Sequence, residues 1–184
     1  MVDAVKRLLL VVDYQKDFVD GALGFPGAEA LDGPIAAKIA ACRAAGDDVA
    51  FTLDTHGPDY LDTQEGRKLP VPHCLLNSEG WQLYGQTGQA MERSRDMVIG
   101  KGAFPSLWLA NWLKEQGYDR VELAGLVSYL CVLSNAIMVK AALPEAEIVV
   151  DAACCAGVTP ESHRTALRAM KACQIAVEHE GETD

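Results

Sequence analysis

Continuous apolar runs that stop at a polar residue recur along this chain, and a helical pattern follows most of them. Leu8-Leu9-Leu10-Val11-Val12 runs into Asp13, and Val49-Ala50-Phe51-Thr52-Leu53, apolar but for Thr52, into Asp54. Continuous rather than alternating hydrophobicity is what a strand covered on both faces requires, as in a parallel sheet packed between helices. Strands are therefore expected at residues 7–13, Val49–Leu53, Asp96–Gly100, Arg120–Gly125, Glu147–Asp151 and, briefly, Gln174–Val177. Between them lie helical signals. Gly33-Pro34 opens a helix with Ile35, Ile39 and Cys42 inward and Gly46 as its stop. A second begins near Ser106, with Leu109, Trp112 and Leu113 on one face and Gly117 as its end. A third carries Leu133, Ala136, Ile137 and Lys140 at spacings of three and four. Thr159-Pro160-Glu161 supplies a cap, a first-turn proline and a dipole-favourable acid for the last. Strand alternating with helix predicts an α/β fold, an open parallel six-stranded sheet with helices on both faces in three layers.

The length of 184 residues suits one domain spanning 1–184. A net charge of −10 argues against nucleic acid as a partner. No apolar run approaches the roughly 18–20 residues of a membrane span, and the run after Met1 is too short for a signal peptide. A cytoplasmic protein is expected. The six cysteines, Cys42, Cys74, Cys131, Cys154, Cys155 and Cys173, form no CxxC pair and fit no zinc-finger spacing, so reduced and mostly buried thiols are expected. Core packing of Cys154-Cys155 is favoured over a vicinal disulfide. Glu178–Asp184 reads as a polar tail that frays.

On this scheme Asp13, Asp54 and Lys101 end the first three strands, and Cys131 follows the fourth. Open α/β sheets bind ligands at that carboxyl edge. Cys131 falls where a strand turns into a helix, a place whose free N–H groups and dipole favour a thiolate. Lys101 adds a positive charge beside it, and Asp13 is an acceptor and later donor for the thiol proton. Taken singly, these residues read as a core cysteine, a solvated lysine and a turn-capping acid. Together they compose a nucleophile, an electrostatic activator and a general acid/base.

A second group lies in the long connection Thr55–Asn77. In extended chain, positions i and i+2 face one side, so Asp54 and His56 can meet one ion. His73 can fold back as a third ligand, and Glu65 can bind directly or through water, leaving positions open as in catalytic zinc-type sites. The plain alternative is two ordinary surface histidines.

The motifs Val12-Asp13-Tyr14-Gln15-Lys16-Asp17-Phe18, Asp54-Thr55-His56, Leu69-Pro70-Val71-Pro72-His73-Cys74, Gly100-Lys101-Gly102-Ala103-Phe104 and Gly125-Leu126-Val127-Ser128-Tyr129-Leu130-Cys131-Val132 occur in this order. In them the chain resembles the isochorismatase-like cysteine hydrolases, and among these the nicotinamidase (pyrazinamidase) branch, from about Leu8 to Val177. The resemblance implies a catalytic triad of Asp13, Lys101 and Cys131 and one divalent metal ion on Asp54, His56 and His73. That ion is zinc by preference, with manganese or iron fitting the same ligands. It further implies a cis peptide between Leu126 and Val127, an oxyanion hole from the N–H groups of Val127 and Cys131, and a ring pocket lined by Phe18 and bordered by Gln15. The implied reaction converts a small carboxamide such as nicotinamide to its acid and ammonia, in pyridine-nucleotide salvage, through a Cys131 thioester. Two positions depart from the family. Pro58, Asp59 and Tyr60 stand where some members carry another histidine, leaving Glu65 as the fourth candidate ligand. Pro70 replaces a tryptophan that often clamps the ring.

Two alternatives remain open on sequence: a metal-free relative cleaving another amide, a carbamoyl group or a vinyl ether, and an inactive binding scaffold. The Asp54, His56 and His73 trio speaks against the first, the intact triad against the second. A homo-oligomer is expected if aromatic residues within 78–112 prove exposed.

Overall fold

The structure, a computed structural model, describes residues 5–181. Its elements alternate along the chain as β1 (Arg7–Val12), α1 (Lys16–Val19), α2 (Asp32–Ala45), β2 (Asp48–Asp54), α3 (Gln64–Lys68), α4 (Gly85–Ala90), β3 (Met97–Lys101), α5 (Leu107–Gln116), β4 (Arg120–Leu126), α6 (Leu133–Ala142), β5 (Glu147–Ala156), α7 (Pro160–Ala172) and β6 (Ala176–Glu178). All paired strands run parallel in one sheet of order β3-β2-β1-β4-β5-β6.

The continuous apolar runs are buried on both sides. Leu8, Leu10 and Val12 of β1 pack with Leu109 and Leu113 of α5, Ala136 and Val139 of α6, and Leu167 and Met170 of α7. Leu9 and Val11 face the other way, onto Ile35 and Ile39 of α2. The result is the expected three-layer arrangement. Cys155 and Cys154 enter the first and second of these cores respectively, and all six cysteines are free thiols.

The strand order reverses direction between β1 and β4, the topological switch point at which such sheets leave a crevice beyond their carboxyl ends. Val12 pairs there with Gly125. A Cβ on Gly125 would lie 2.0 Å from the Val12 carbonyl oxygen, and its φ of 123° suits glycine alone. The two strands that bear Asp13 and the Cys131 turn can therefore approach closely.

Several local details differ from the sequence expectation. β5 continues past Asp151 to Ala156, because Lys38 of α2 meets the Asp151 carboxylate at 2.7 Å and makes a charged residue tolerable within a strand. β6 is Ala176–Glu178, since Gln174 adopts a left-handed φ of 62° and belongs to the preceding turn. Trp81 and Gln82 lie in a turn, Leu83 is bridged antiparallel to Gln15, and the extended Tyr84 leads into α4. In the long connection, Tyr60–Asp62 forms a 3-10 turn before α3. Of the tail expected to fray, residues 182–184 lie outside the described part.

Candidate active site

Asp13, Asp54, Lys101 and Cys131 converge at the carboxyl edge of the sheet, all buried. Strand register makes this inevitable for two of them, because Asp54 at the end of β2 pairs with Lys101 at the end of β3. The Lys101 ammonium lies 2.5 Å from Asp13 Oδ2 and 3.2 Å from Asp54 Oδ1. It donates to Cys131 Sγ at 3.5 Å and to the Ala103 carbonyl at 3.2 Å. The second Asp13 oxygen, Oδ1, accepts from the Thr52 hydroxyl at 2.6 Å.

Burial would lower the Lys101 pKa, but the Asp13 and Asp54 carboxylates together raise it, so the ammonium is held charged. Burial pushes the Asp13 carboxyl above the usual carboxylate range, with Asp54 assisting and Lys101 opposing. Cys131 differs from the expectation of a resting thiolate. Burial and the Asp13 and Asp54 charges raise its thiol well above the ordinary value, against the pull of Lys101. The proton rests on sulfur, and the Asp13 carboxylate beside it is the acceptor.

The Cys131 turn is a wide helical turn, Ser128–Val132, in which the Val132 N–H donates to the Val127 carbonyl at 3.3 Å, ahead of α6. Wide turns of this kind recur at functional sites. The peptide between Leu126 and Val127 is cis.

The other half of the site is built by the long connection. The His56 N–H donates to the Cys74 carbonyl at 3.0 Å and the Leu76 N–H to the His56 carbonyl at 2.9 Å, which folds residues 73–76 back alongside Asp54-Thr55-His56. Asp17 of α1 accepts from the Cys74 N–H at 2.7 Å and fastens the same loop. One ligating atom each from Asp54, His56 and His73 then lies within 4.8 Å of the others. His56 Nε2 is 2.9 Å and His73 Nε2 3.3 Å from Asp54 Oδ2. Glu65, in the first turn of α3 behind its Thr63 cap, brings Oε1 to 3.7 Å from His56 Nε2 and 3.9 Å from His73 Nε2.

These residues fit a cation. His73 Nδ1 donates to the Val71 carbonyl at 2.8 Å, so in the neutral ring its Nε2 presents a lone pair to carboxylate oxygens. Acceptors aimed at acceptors call for a proton or a metal ion between them. Glu65 Oε1 is buried without a hydrogen-bond partner. A far ring N–H donating to a backbone carbonyl is how metal-bound histidines are usually oriented. Where a proton rather than an ion fills that gap, hydrogen bonds from His56 and His73 together with the Lys101 charge hold the Asp54 carboxyl well below its usual range despite burial. Asp54 thus belongs to both groups, with Oδ1 on Lys101 and Oδ2 on the histidines.

Phe18 stacks at a tilt on His73, ring centroids 5.5 Å apart. Gln15 is fully buried. Its amide donates to the Asp54 carbonyl at 2.9 Å and the Trp81 carbonyl at 2.8 Å and accepts from the Asp54 N–H at 2.7 Å. Its structural place is beneath the Asp54 backbone. Three residues with no signal in the sequence also shape the site. Thr52 holds Asp13, and Asn135 ties the Cys131 carbonyl to the loop after Lys101. Tyr60 packs on His56 and His73 at 4.7 and 5.0 Å.

The isochorismatase domain pattern matches residues 7–180. The chain belongs to the isochorismatase family. Among the members it is similar to is the nicotinamidase/pyrazinamidase of Mycobacterium tuberculosis, 27% identical over 146 residues that span 71% of this chain and 76% of that protein. The nicotinamidase/pyrazinamidase PncA of Bacillus subtilis superposes with a TM-score of 0.83 at 28% identity, covering 94% of this chain and 99% of that one. The pyrazinamidase of Pyrococcus horikoshii in complex with zinc superposes at 0.81, with 25% identity and coverage of 94% and 98%. Among the described residues, no helix of this family member is long and apolar enough to cross a membrane.

Proposed function

We propose that this isochorismatase-family protein hydrolyses nicotinamide, or a similar aromatic carboxamide, to the acid and ammonia through a thioester on Cys131. At the coarser level the protein is an amide hydrolase, as its family and its nicotinamidase-like relatives indicate. The observation that carries the finer reading is the Lys101 ammonium lying 2.5 Å from Asp13 and 3.5 Å from the Cys131 sulfur.

Asp13 takes the thiol proton as sulfur attacks the carboxamide carbon. Lys101 balances the negative charge that passes between sulfur and carboxylate, and the N–H groups of Val127 and Cys131 receive the oxyanion. Asp13 then protonates the amide nitrogen, the C–N bond breaks and ammonia leaves an acyl thioester. In the second half Asp13 removes a proton from water, the hydroxide attacks the thioester carbon, and the proton returns to sulfur as the acid departs. Asp54, His56, His73 and Glu65 would hold one divalent ion, zinc by preference. When bound, it supplies a Lewis-acidic anchor for an electron-rich ring atom of the substrate. Phe18 walls the ring. Such an activity belongs to pyridine-nucleotide salvage.

The test is ammonia release from a panel of carboxamides including nicotinamide, before and after chelation and metal restoration. The expected result is turnover of nicotinamide that is lost on chelation, restored by a divalent ion, and abolished in Cys131→Ala. Turnover confined to carbamoyl or aliphatic amides and indifferent to chelation contradicts the reading.

A further inference from the structure

The turn that carries Cys131 is anchored at each end by a different side chain. At its carboxyl end the buried Asn135 amide donates to the carbonyls of Cys131 (2.8 Å) and Phe104 (2.9 Å), and its oxygen accepts from the Ser106 N–H at 3.1 Å. That end is thereby fastened to the loop that follows Lys101. At the amino end stands Ser128, fully buried and next to Val127. Its hydroxyl lies 2.6 Å from Nδ1 of His163, in the first turns of α7, an element that contributes nothing to the groups described above.

His163 is itself held in a fixed place. Thr159 and Ser162 form a reciprocal capping box that sets the first turn of α7. The connection from β5 approaches the same turn closely, because a Cβ at Gly157 would lie 3.1 Å from the His163 backbone nitrogen and 3.2 Å from Tyr129 Cδ1. Burial lowers the His163 pKa below the ordinary histidine value. In the neutral ring with its proton on Nε2, Nδ1 accepts from the Ser128 O–H, and the rest of the ring borders a cleft of about 440 Å³ with Leu31, Val158 and Leu167.

We propose that His163 is a positioning residue for the hydrolysis, acting through the Ser128 hydroxyl. By pinning the amino end of the turn it sets the direction of the Val127 N–H relative to the Cys131 sulfur, so that both address one carbonyl group. The tether at Asn135 fixes only the sulfur end. A turn free to rotate at Ser128 separates nucleophile from oxyanion donor, and displacements of about 1 Å cost on the order of a hundredfold in rate.

This inference rests on Cys131 as the nucleophile, so the experiment carries two readouts. Steady-state kinetics on nicotinamide and the rate of Cys131 alkylation by iodoacetamide, followed by peptide mass, are measured for His163→Leu, His163→Asn, Ser128→Ala and the Ser128→Ala/His163→Leu pair. Thermal melts of each accompany them. The expected result for His163→Leu and for Ser128→Ala is a fall in kcat of roughly ten- to a hundredfold with KM within about twofold. The pair should be no worse than either single variant. His163→Asn, whose amide meets Ser128 where Nδ1 does, should recover most of the loss. Ser128→Ala removes one oxygen and reads the same bond where His163→Leu does not fold. An unchanged kcat in His163→Leu overturns the proposal, as do additive losses in the pair without rescue by His163→Asn. If the wild type turns over no carboxamide, the substrate assignment fails on its own. The alkylation rate then decides: a changed rate in His163→Leu, restored in His163→Asn, upholds the positioning role, and an unchanged rate overturns it.

Discussion

Asp54 is the residue through which the two groups of the site are coupled, since one oxygen serves Lys101 and the other the histidines. Asp54→Asn keeps the shape but removes the charge that both depend on. Metal content measured after dialysis and kcat should therefore fall together, kcat by more than about a hundredfold. A variant that loses turnover while retaining the wild-type metal content would separate the groups. Asp13 sets the acid limb of the pH profile. Burial raises its carboxyl above the usual range, and protonated Asp13 cannot accept the thiol proton. The sign follows: kcat/KM should climb with pH through a midpoint above about 4, the free-carboxylate value. A limb at or below that value contradicts the assignment. Asp13 and Lys101 were legible in the sequence because each ends a strand-like run at the edge where chemistry occurs, and Cys131 because it follows such a run where strand turns into helix. Thr52 and Asn135 were not. Each is a polar residue buried within an element, and its partner lies at a sequence separation that leaves no periodic mark.

At the scale of elements, α2 is tied to the middle of the sheet by a buried charge cluster. Lys38 bonds Asp151 of β5 at 2.7 Å and also Glu122 of β4, and His179 lies 3.1 Å from Asp151 on its other side. Lys38→Met would remove the ammonium shared by the two carboxylates, leaving Asp151 only His179 and Glu122 only Arg120 at 3.8 Å, at a cost of about 2–3 kcal/mol in a urea melt. Burial alone would raise the Asp151 pKa, but Lys38 and His179 lower it below its ordinary value. A depressed carboxyl pKa contributes stability above its unfolded value of about 3.9, lost as pH falls through the folded one. The gap between wild type and Lys38→Met should accordingly narrow under acid, and a gap constant from pH 7 to 3 would count against the cluster. The same contact explains a misread boundary. A carboxylate after Ile148-Val149-Val150 looks like a strand end, whereas the neighbouring ammonium lets β5 run five residues further. The caps of α7 and the Gly46 and Gly117 stops needed no tertiary partner and were readable directly.

For the whole molecule, the reversal of strand order between β1 and β4 gathers residues distant in sequence at one edge. The three-layer class followed from the apolar runs, but the strand order did not, because parallel pairing leaves no local turn signature. A cation bound to the folded state alone stabilises it by mass action, about 2.7 kcal/mol at a hundredfold excess over Kd. Zinc should raise the melting temperature of the stripped wild type and leave His73→Ala unmoved, and an equal rise in both would place binding elsewhere. Trp108 is 54% exposed at the start of α5, the kind of aromatic exposure within 78–112 on which the homo-oligomer expectation depends, and sedimentation tests it. The most direct test of the account is acid quench of the enzyme during nicotinamide turnover, followed by peptide mass analysis. The account predicts one nicotinoyl group on the peptide bearing Cys131 and none in Cys131→Ala. An acyl group on another residue, or undiminished ammonia release by Cys131→Ala, would contradict it.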